Sequence, residues 1–258
     1  MRWDLENKTA LVTGAGGGLG QAVALYLAQQ RVAVAALDRD AAGAERTVAT
    51  VEQAGSRGIA LQADVSDSRQ VADAVARARE KLGPLDYLVN IAGFFEAAPI
   101  QDITDEQWQR MLDVHLGGTF RCCRAILPQM MERRAGRIVN IASVQAYGAG
   151  FGYLAPSTHY AMAKAGIIGL TKSLAREVGP HGITVNAVAP TATETALWRG
   201  NTAEADLEKR RVERAKVIPL GRIAQPADVA EAILFLLSPA SSFVTGHVVN
   251  LTGGELMV

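Results

Sequence analysis

Two residues four apart, Tyr160 and Lys164, pair a weak acid with a cation that can activate it. In a helix, such positions lie one above the other on one face, so the ammonium stands beside the phenol. An unperturbed tyrosine has a pKa near about 10, too high for proton exchange at neutral pH, and a neighbouring positive charge favours the phenolate. Bringing that pKa to about 7 takes roughly 4 kcal/mol, at about 1.36 kcal/mol per unit. A single solvent-exposed lysine supplies less, so this chemistry calls for a second positive charge. Tyr and Lys at this spacing also recur by chance on many helices, and the pair gains meaning only from what positions it.

The positioning elements are legible as a rhythm. Short runs rich in Val, Ile, Leu and Ala recur at 9–13, 32–37, 58–62, 85–91, 136–141, 183–189 and 247–251. Helical periodicity fills the intervals at 20–30, 41–54, 68–82, 105–133, 158–178 and 226–237. Continuous apolar runs are the mark of strands buried on both faces, and an alternating order of strand and helix predicts a doubly wound parallel α/β sheet of seven strands. No linker or repeat divides residues 1–258, which are expected to form a single domain. The rhythm breaks once, at 191–222, a polar stretch with Trp198 and a charged helix around 206–216. Over the carboxyl ends of the strands it is placed as a substrate lid.

Composition narrows the class. The chain has 258 residues, 49% hydrophobic and 20% charged, with Lys+Arg and Asp+Glu both at 26. That balance calls for neither nucleic acid nor an anionic membrane. Cys122 and Cys123, the two cysteines, are adjacent and offer no disulfide framework or zinc cluster; buried thiols on a helix are expected, and no metal site. The N-terminal residues are too polar for a secretory signal and no run is long enough to span a membrane, so a cytoplasmic protein is expected.

A glycine-rich turn, Gly14, Gly16, Gly17, Gly18 and Gly20, follows the first strand and opens the first helix. Glycine lets the backbone approach a pyrophosphate, and the helix N-terminus offers free N–H groups to it. In this strand–turn–helix context the motif predicts dinucleotide binding. Asp38 ends the second strand eighteen residues past Gly20. Its carboxylate suits ribose hydroxyls and repels a 2′-phosphate, which favours NAD over NADP although Arg39 follows directly. An oxidised nicotinamide would be the second cation that Tyr160 needs.

These motifs together resemble the short-chain dehydrogenase/reductase family over nearly the whole chain. Thr13, Gly14, Gly18 and Gly20 match its glycine turn, with Leu19 inside it. Asp64-Val65 matches the pair set against adenine, and Asn90-Ile91-Ala92-Gly93 its Asn-Asn-Ala-Gly, with Ile91 for the second Asn. Ser143 ends the fifth strand, ahead of Tyr160 and Lys164. Pro190-Thr191-Ala192-Thr193-Glu194-Thr195 resembles Pro-Gly-x-x-x-Thr, with Thr191 where Gly is usual. The resemblance implies a Rossmann-type fold in which Tyr160 is the general acid/base. By the same resemblance Lys164 is expected to lower its pKa and hold the nicotinamide ribose, Ser143 to steady the substrate oxygen, and Thr193 and Thr195 to face the carboxamide and phosphates. It also implies a homotetramer, with the last four residues, from Glu255, placed to reach another subunit.

Two departures stand out. His115 occupies the place where family members commonly carry an Asn that holds a water beside the lysine. Histidine can donate and accept, so His115 is expected either to carry a relay with a pH dependence below about 7 or to be a neutral interior residue. The Ser143–Tyr160 interval is long and glycine-rich; with Phe94, Phe95, Gln145, Tyr153 and Trp198 it is expected to line a largely apolar substrate pocket. His159 reads as structural. Arg210, Arg211, Arg214 and Lys216, interleaved with acids, read as a solvated helix. The function expected is NAD-dependent interconversion of a secondary alcohol and a ketone. The alternatives are reduction of 3-oxoacyl thioesters, with Arg134 and Arg176 docking an acidic carrier protein, and a non-catalytic nucleotide sensor.

Overall fold

The structure is a computed structural model that describes residues 3–148, 156–200 and 203–258. Seven parallel strands form one sheet in the order β3-β2-β1-β4-β5-β6-β7. They are β1 (Thr9–Thr13), β2 (Ala33–Asp38), β3 (Gly58–Gln62), β4 (Tyr87–Asn90), β5 (Gly136–Ile141), β6 (Ile183–Pro190) and β7 (Val248–Leu251). The chain starts in the middle of the sheet, runs to one edge through β3, and returns to pair β4 with β1. This reversal is the switch point where a doubly wound sheet opens a crevice at the carboxyl ends of its strands.

Successive strand residues feed two cores, because side chains alternate across the sheet. Leu11, Leu88 and Ile138 pack on one face under α3 (Ser68–Leu82), α5 (Gly118–Arg133) and α6 (Thr158–Val178). Val12, Val89 and Val139 pack on the other, under α1 (Gly18–Gln29), α2 (Ala41–Gln53) and α9 (Pro226–Leu237). Cys122 and Cys123 are buried free thiols of α5, and burial raises the pKa of both. The thiols therefore stay protonated and act as packing.

The helix expected as one piece over 105–133 is interrupted. α4 (Asp105–Leu112) runs into a π turn at Asp113–Gly117 before α5 begins. Two side chains meet the carbonyls this turn displaces. Arg121 Nη1 donates to Asp113 O at 2.9 Å, and Thr119 Oγ1 donates to His115 O at 2.7 Å. Such turns concentrate at functional sites, and this one carries His115. In the 191–222 stretch the structure places α7 (Ala196–Arg199) and α8 (Glu204–Ala215). Among the described residues no helix is long and apolar enough to cross a membrane.

Candidate active site

A cavity of about 570 Å³ opens at the carboxyl ends of the strands. It runs from the glycine turn, past the β4 and β5 ends, to α7 and α8, a size suited to a bound small molecule.

The glycine-turn end is made of backbone. Gly20 lets α1 lie against β1's exit, since a Cβ there would stand 2.0 Å from Gly14 O. Gly14 takes φ +68°, and a Cβ on it would meet Ala92 Cα at 2.7 Å. Thr13 Oγ1 ties the turn to the β4 exit by accepting from Ile91 N–H and Ala92 N–H. Gly17 is different: it is extended, and a Cβ there would meet nothing within 4 Å. It caps α1 with no side-chain hydrogen bond, and α1 has no acidic residue in its first turn. The leading N–H groups of the helix therefore face the cavity as donors, in the arrangement that accommodates a dinucleotide's pyrophosphate. Asp38 Oδ2 accepts from Gly16 N–H at 2.8 Å and Oδ1 from Asp40 N–H at 2.9 Å. Asp64, its Oδ1 accepting from Ser66, lies beside Val65 on the same wall.

At the centre, Ser143 leaves β5 in extended backbone, and its Oγ accepts from Gln145 N–H at 3.2 Å, so its own proton is available to another oxygen. Tyr160 and Lys164 stack on α6 as their spacing predicts, with Lys164 Nζ 5.6 Å from the phenol ring centre. The ammonium is buried and donates to Ile141 O at 2.7 Å. Desolvation lowers the Lys164 pKa to about 7. Burial likewise pushes the Tyr160 phenol up to about 12, against the pull of a hydrogen bond with Ser143. The expectation that Lys164 lowers the tyrosine's pKa is thus corrected for the protein by itself. Both groups leave water together, and a lysine near half-charge at neutral pH does not offset the loss.

His115 faces this pair. Its ring lies edge-on to Tyr160 at 5.3 Å and rests on Gly93, where a Cβ would stand 2.3 Å from Cε1. Nε2 lies 2.8 Å from Phe94 O and 3.1 Å from Phe94 N, so one tautomer donates to the carbonyl and the other accepts from the amide. Burial, then the Lys164 charge, lowers its pKa to about 3. The pH dependence near 7 expected of His115 is therefore withdrawn: the ring is neutral throughout the neutral range.

Most of the expected residues line this one cavity: Gly14, Gly18, Leu19, Gly20, Asp38, Asp64, Val65, Ala92 and Gly93, then Pro190, Thr193 and Thr195, with Phe94, Gln145 and Trp198 beyond. Asn90 does not. Its side chain turns into the β4–β5 seam, donating to Asn140 Oδ1 at 2.9 Å, so it joins strands and does not face a ligand. Tyr153 lies outside the described residues. Gln145 has its carbonyl oxygen committed to Ser157 Oγ at 2.6 Å. His159 is buried and is not part of the cavity wall, in line with a structural role.

The α8 end holds what the sequence reading missed. Arg214, read as solvated, is 5% exposed and donates to Thr191 Oγ1 at 3.0 Å and to Glu255. Glu255, expected to reach another subunit, has a side chain only 1% exposed, turned against Arg214 of its own chain's α8. The signal was present: Arg214 follows the buried Leu207 by seven residues, two helical turns along the same face.

A family model described as Enoyl-(Acyl carrier protein) reductase matches residues 14–255. The short-chain reductase protein NovJ of Streptomyces niveus is 39% identical over 252 residues, covering 97% of this chain and 94% of that one. The 3-oxoacyl-(acyl-carrier-protein) reductase FabG of Vibrio harveyi is 36% identical over 255 residues, covering 99% and 100%. Among solved structures, a 3-oxoacyl-(acyl-carrier protein) reductase with bound NAD from Brucella melitensis aligns with a TM-score of 0.86 at 36% identity, covering 100% of this chain and 94% of that one. The chain belongs to the short-chain dehydrogenase/reductase family. It is an oxidoreductase of alcohols and ketones that works with a nicotinamide cofactor, and the sensor alternative falls.

Proposed function

We propose that this member of the short-chain dehydrogenase/reductase family interconverts a secondary alcohol and a ketone with NAD, using Tyr160 as the general acid/base. The observation that carries the reading is the convergence of Ser143, Tyr160 and Lys164 on one cavity whose other end is an uncapped, glycine-lined helix N-terminus. The bound cofactor supplies or accepts the hydride. The protein's own groups handle the proton and the geometry.

Ser143 holds the substrate oxygen through the hydroxyl proton that its contact with Gln145 N–H leaves available. Tyr160 gives its phenolic proton to that oxygen in reduction and takes it back in oxidation. Lys164 supplies positive charge beneath the phenol and keeps its place through Ile141 O. His115 is a positioning residue: neutral, anchored to Phe94, and packed against the tyrosine's edge. Thr193 and Thr195, in the same cavity wall, would hold the carboxamide and phosphates, and the Asp38 carboxylate there would disfavour a 2′-phosphate and so favour NAD. Residues 191–222 act as the lid over the substrate. A cytoplasmic homotetramer fits the same reading.

The test is NADH fluorescence over a panel of secondary alcohols, sugars, polyols and hydroxyacyl thioesters, with Tyr160→Phe alongside. Turnover lost by about 10²–10⁴-fold in the variant, with NADH still bound, supports the assignment; equal turnover in both would remove Tyr160 from its role. His115→Asn should lower kcat and leave the shape of the rate–pH profile between pH 5 and 9 unchanged, since the native ring does not titrate there. A lost inflection in that window would restore the titrating relay. The relatives named as 3-oxoacyl-(acyl-carrier-protein) reductases favour a second reading, reduction of 3-oxoacyl thioesters, which the thioester arm of the panel addresses.

A further inference from the structure

We infer that Glu194 is a positioning residue that holds α7 and α8 closed over the cavity and so sets how fast a bound nicotinamide cofactor leaves. The inference rests on reading residues 191–222 as the lid of this cavity, and it names the side chain that keeps the lid in place.

Glu194 stands between two residues of the cavity wall, Thr193 and Thr195, and is not itself part of that wall. The reason is local. Thr193 bridges to Ala224 in parallel and Thr195 has extended backbone, so successive side chains alternate and the middle one turns away from the cavity. Main-chain bonds brace the segment: Glu194 N–H donates to Ala224 O at 2.8 Å, and Ala224 N–H donates to Ala192 O at 3.1 Å.

From that braced position the carboxylate gathers donors from three elements. Oε1 accepts from Arg199 Nη2 on α7 at 3.0 Å and from Arg211 Nε on α8 at 3.0 Å, with Arg211 Nη2 on the same oxygen. Oε2 accepts at 3.2 Å from Nε2 of Gln225, the residue that caps α9. A carboxylate offers about four acceptor sites, so these contacts fill it. The Glu194 side chain is 13% exposed and that of Arg211 24%, so their charge-assisted bonds form where water is partly excluded. The Arg211 bonds, then that of Gln225, hold the Glu194 carboxyl below its ordinary range, which keeps it charged at neutral pH. The helices tied in this way carry cavity wall, Leu197 and Trp198 on α7 and Arg210 and Arg214 on α8. Packing does not hold α7: it is four residues long and buries none of them. So short a helix takes its place from its ties, and Glu194 is the tie it shares with α8.

The probe is NADH, its release followed by stopped-flow fluorescence and its association measured alongside. Glu194→Gln keeps the size of the side chain, removes the charge and sets an amide N–H₂ against donors. It should speed NADH release by about tenfold or more and leave association within about threefold. Hydrogen exchange should quicken in α7 and α8 and stay as it was in β4 and β5. Arg211→Gln acts on the same carboxylate, so the two changes together should fall short of the product of their separate effects. Arg199→Gln removes one exposed donor, should give a smaller factor, and serves if the first variant does not fold. Arg133→Gln is the control. It breaks a pair of similar burial, with Asp86 just before β4 at the amino end of the sheet, and should leave release within about twofold of the parent's. Unchanged exchange and unchanged release in Glu194→Gln would overturn the inference at the latch and leave the lid reading standing. Faster exchange in α7 and α8 with unchanged release would overturn the lid reading, and the inference with it. Equal acceleration in the Arg133 variant would overturn it too, by reducing Glu194 to general stability.

Discussion

Around the glycine turn the cavity wall is backbone, drawn from a few residues at the exits of β1 and β4 and fixed by close packing. Around α8 it is side chain, assembled from Thr191, Arg214 and Glu255, which are far apart in the chain and held together by charge. Where the backbones of the first kind of wall touch, at Gly14 and Gly20, it tolerates no added atom, and its packing there does not depend on charge. The second has the opposite sensitivities. Perturbations of shape and perturbations of charge should therefore separate the two ends.

The largest effect is expected from Gly20→Ala. Its Cβ would stand 2.0 Å from Gly14 O, a backbone atom that cannot move aside without carrying the turn with it. Destabilisation in the exceptional range, above about 4 kcal/mol, is expected by denaturant unfolding, together with loss of NADH binding. Gly17→Ala is the control, because its backbone is extended and its Cβ would enter open cavity. It should change stability by less than about 0.5 kcal/mol and act on cofactor affinity alone. Equal destabilisation by both would break the claim that packing, and not ligand space, sets the glycine requirement at Gly20.

At the other end the corresponding change is Glu255→Ala, which leaves Arg214 buried without its counter-charge. Removing one partner of a buried pair costs about 3–5 kcal/mol, and that loss is expected here. The double change Glu255→Gln with Arg214→Met should recover most of it, since no ion is then left buried. A loss below about 1 kcal/mol in the single variant would mean the pair is not desolvated as the structure shows.

This contrast also explains what could be read from sequence. The glycine turn, the strand rhythm and the Tyr160–Lys164 spacing are local patterns, and local patterns survive in one dimension. Asn90 misled because its motif neighbours Ala92 and Gly93 do face the cavity, while its own side chain, on the last residue of β4, pairs across to Asn140 in the register of the sheet. The interruption of 105–133 left no clear mark because Asp113–Gly117 is flanked by ordinary helical backbone and slips the apolar spacing by a single residue. Arg214 and Glu255 were invisible as a pair, being joined only by how α8 and the C-terminal residues fold back on each other. His115 was located correctly, but its neutrality follows from burial, which the residue type does not reveal.

Lys164, between the two ends, gives a titration. Its pKa is lowered from 10.5 in the unfolded chain to about 7 in the fold, by desolvation. Between those values the unfolded chain holds a proton that the native protein does not, so stability rises with pH across the window. From pH 7 to pH 9 this group should add up to about 2–3 kcal/mol, at about 1.36 kcal/mol per unit. Lys164→Met should flatten that rise, measured by denaturant unfolding at each pH in the protein without cofactor. A variant whose stability climbs as steeply as the parent's would show the ammonium to be hydrated in the fold.

The smallest effect sharpens the comparison most, because it asks whether charge matters at the end built from backbone. Asp38 Oδ2 and Oδ1 accept from Gly16 N–H and Asp40 N–H, so the residue is both a brace for the turn and a carboxylate in the cavity wall, where we propose that it disfavours a 2′-phosphate. Asp38→Asn keeps the shape and one amide oxygen for bracing but removes the charge. A unit charge about 4 Å from another is worth about 1 kcal/mol in water and more where water is partly excluded. The ratio of kcat/KM for NADP over NAD should therefore rise by about tenfold, equivalent to about 1.4 kcal/mol, and fall back toward the parent's as salt is added. Stability should fall by about 1–2 kcal/mol, since both carboxylate oxygens brace the turn and the amide leaves one of the two N–H groups without its acceptor. An unchanged ratio would mean that the glycine-turn end discriminates between the cofactors by shape, and that charge governs the α8 end alone.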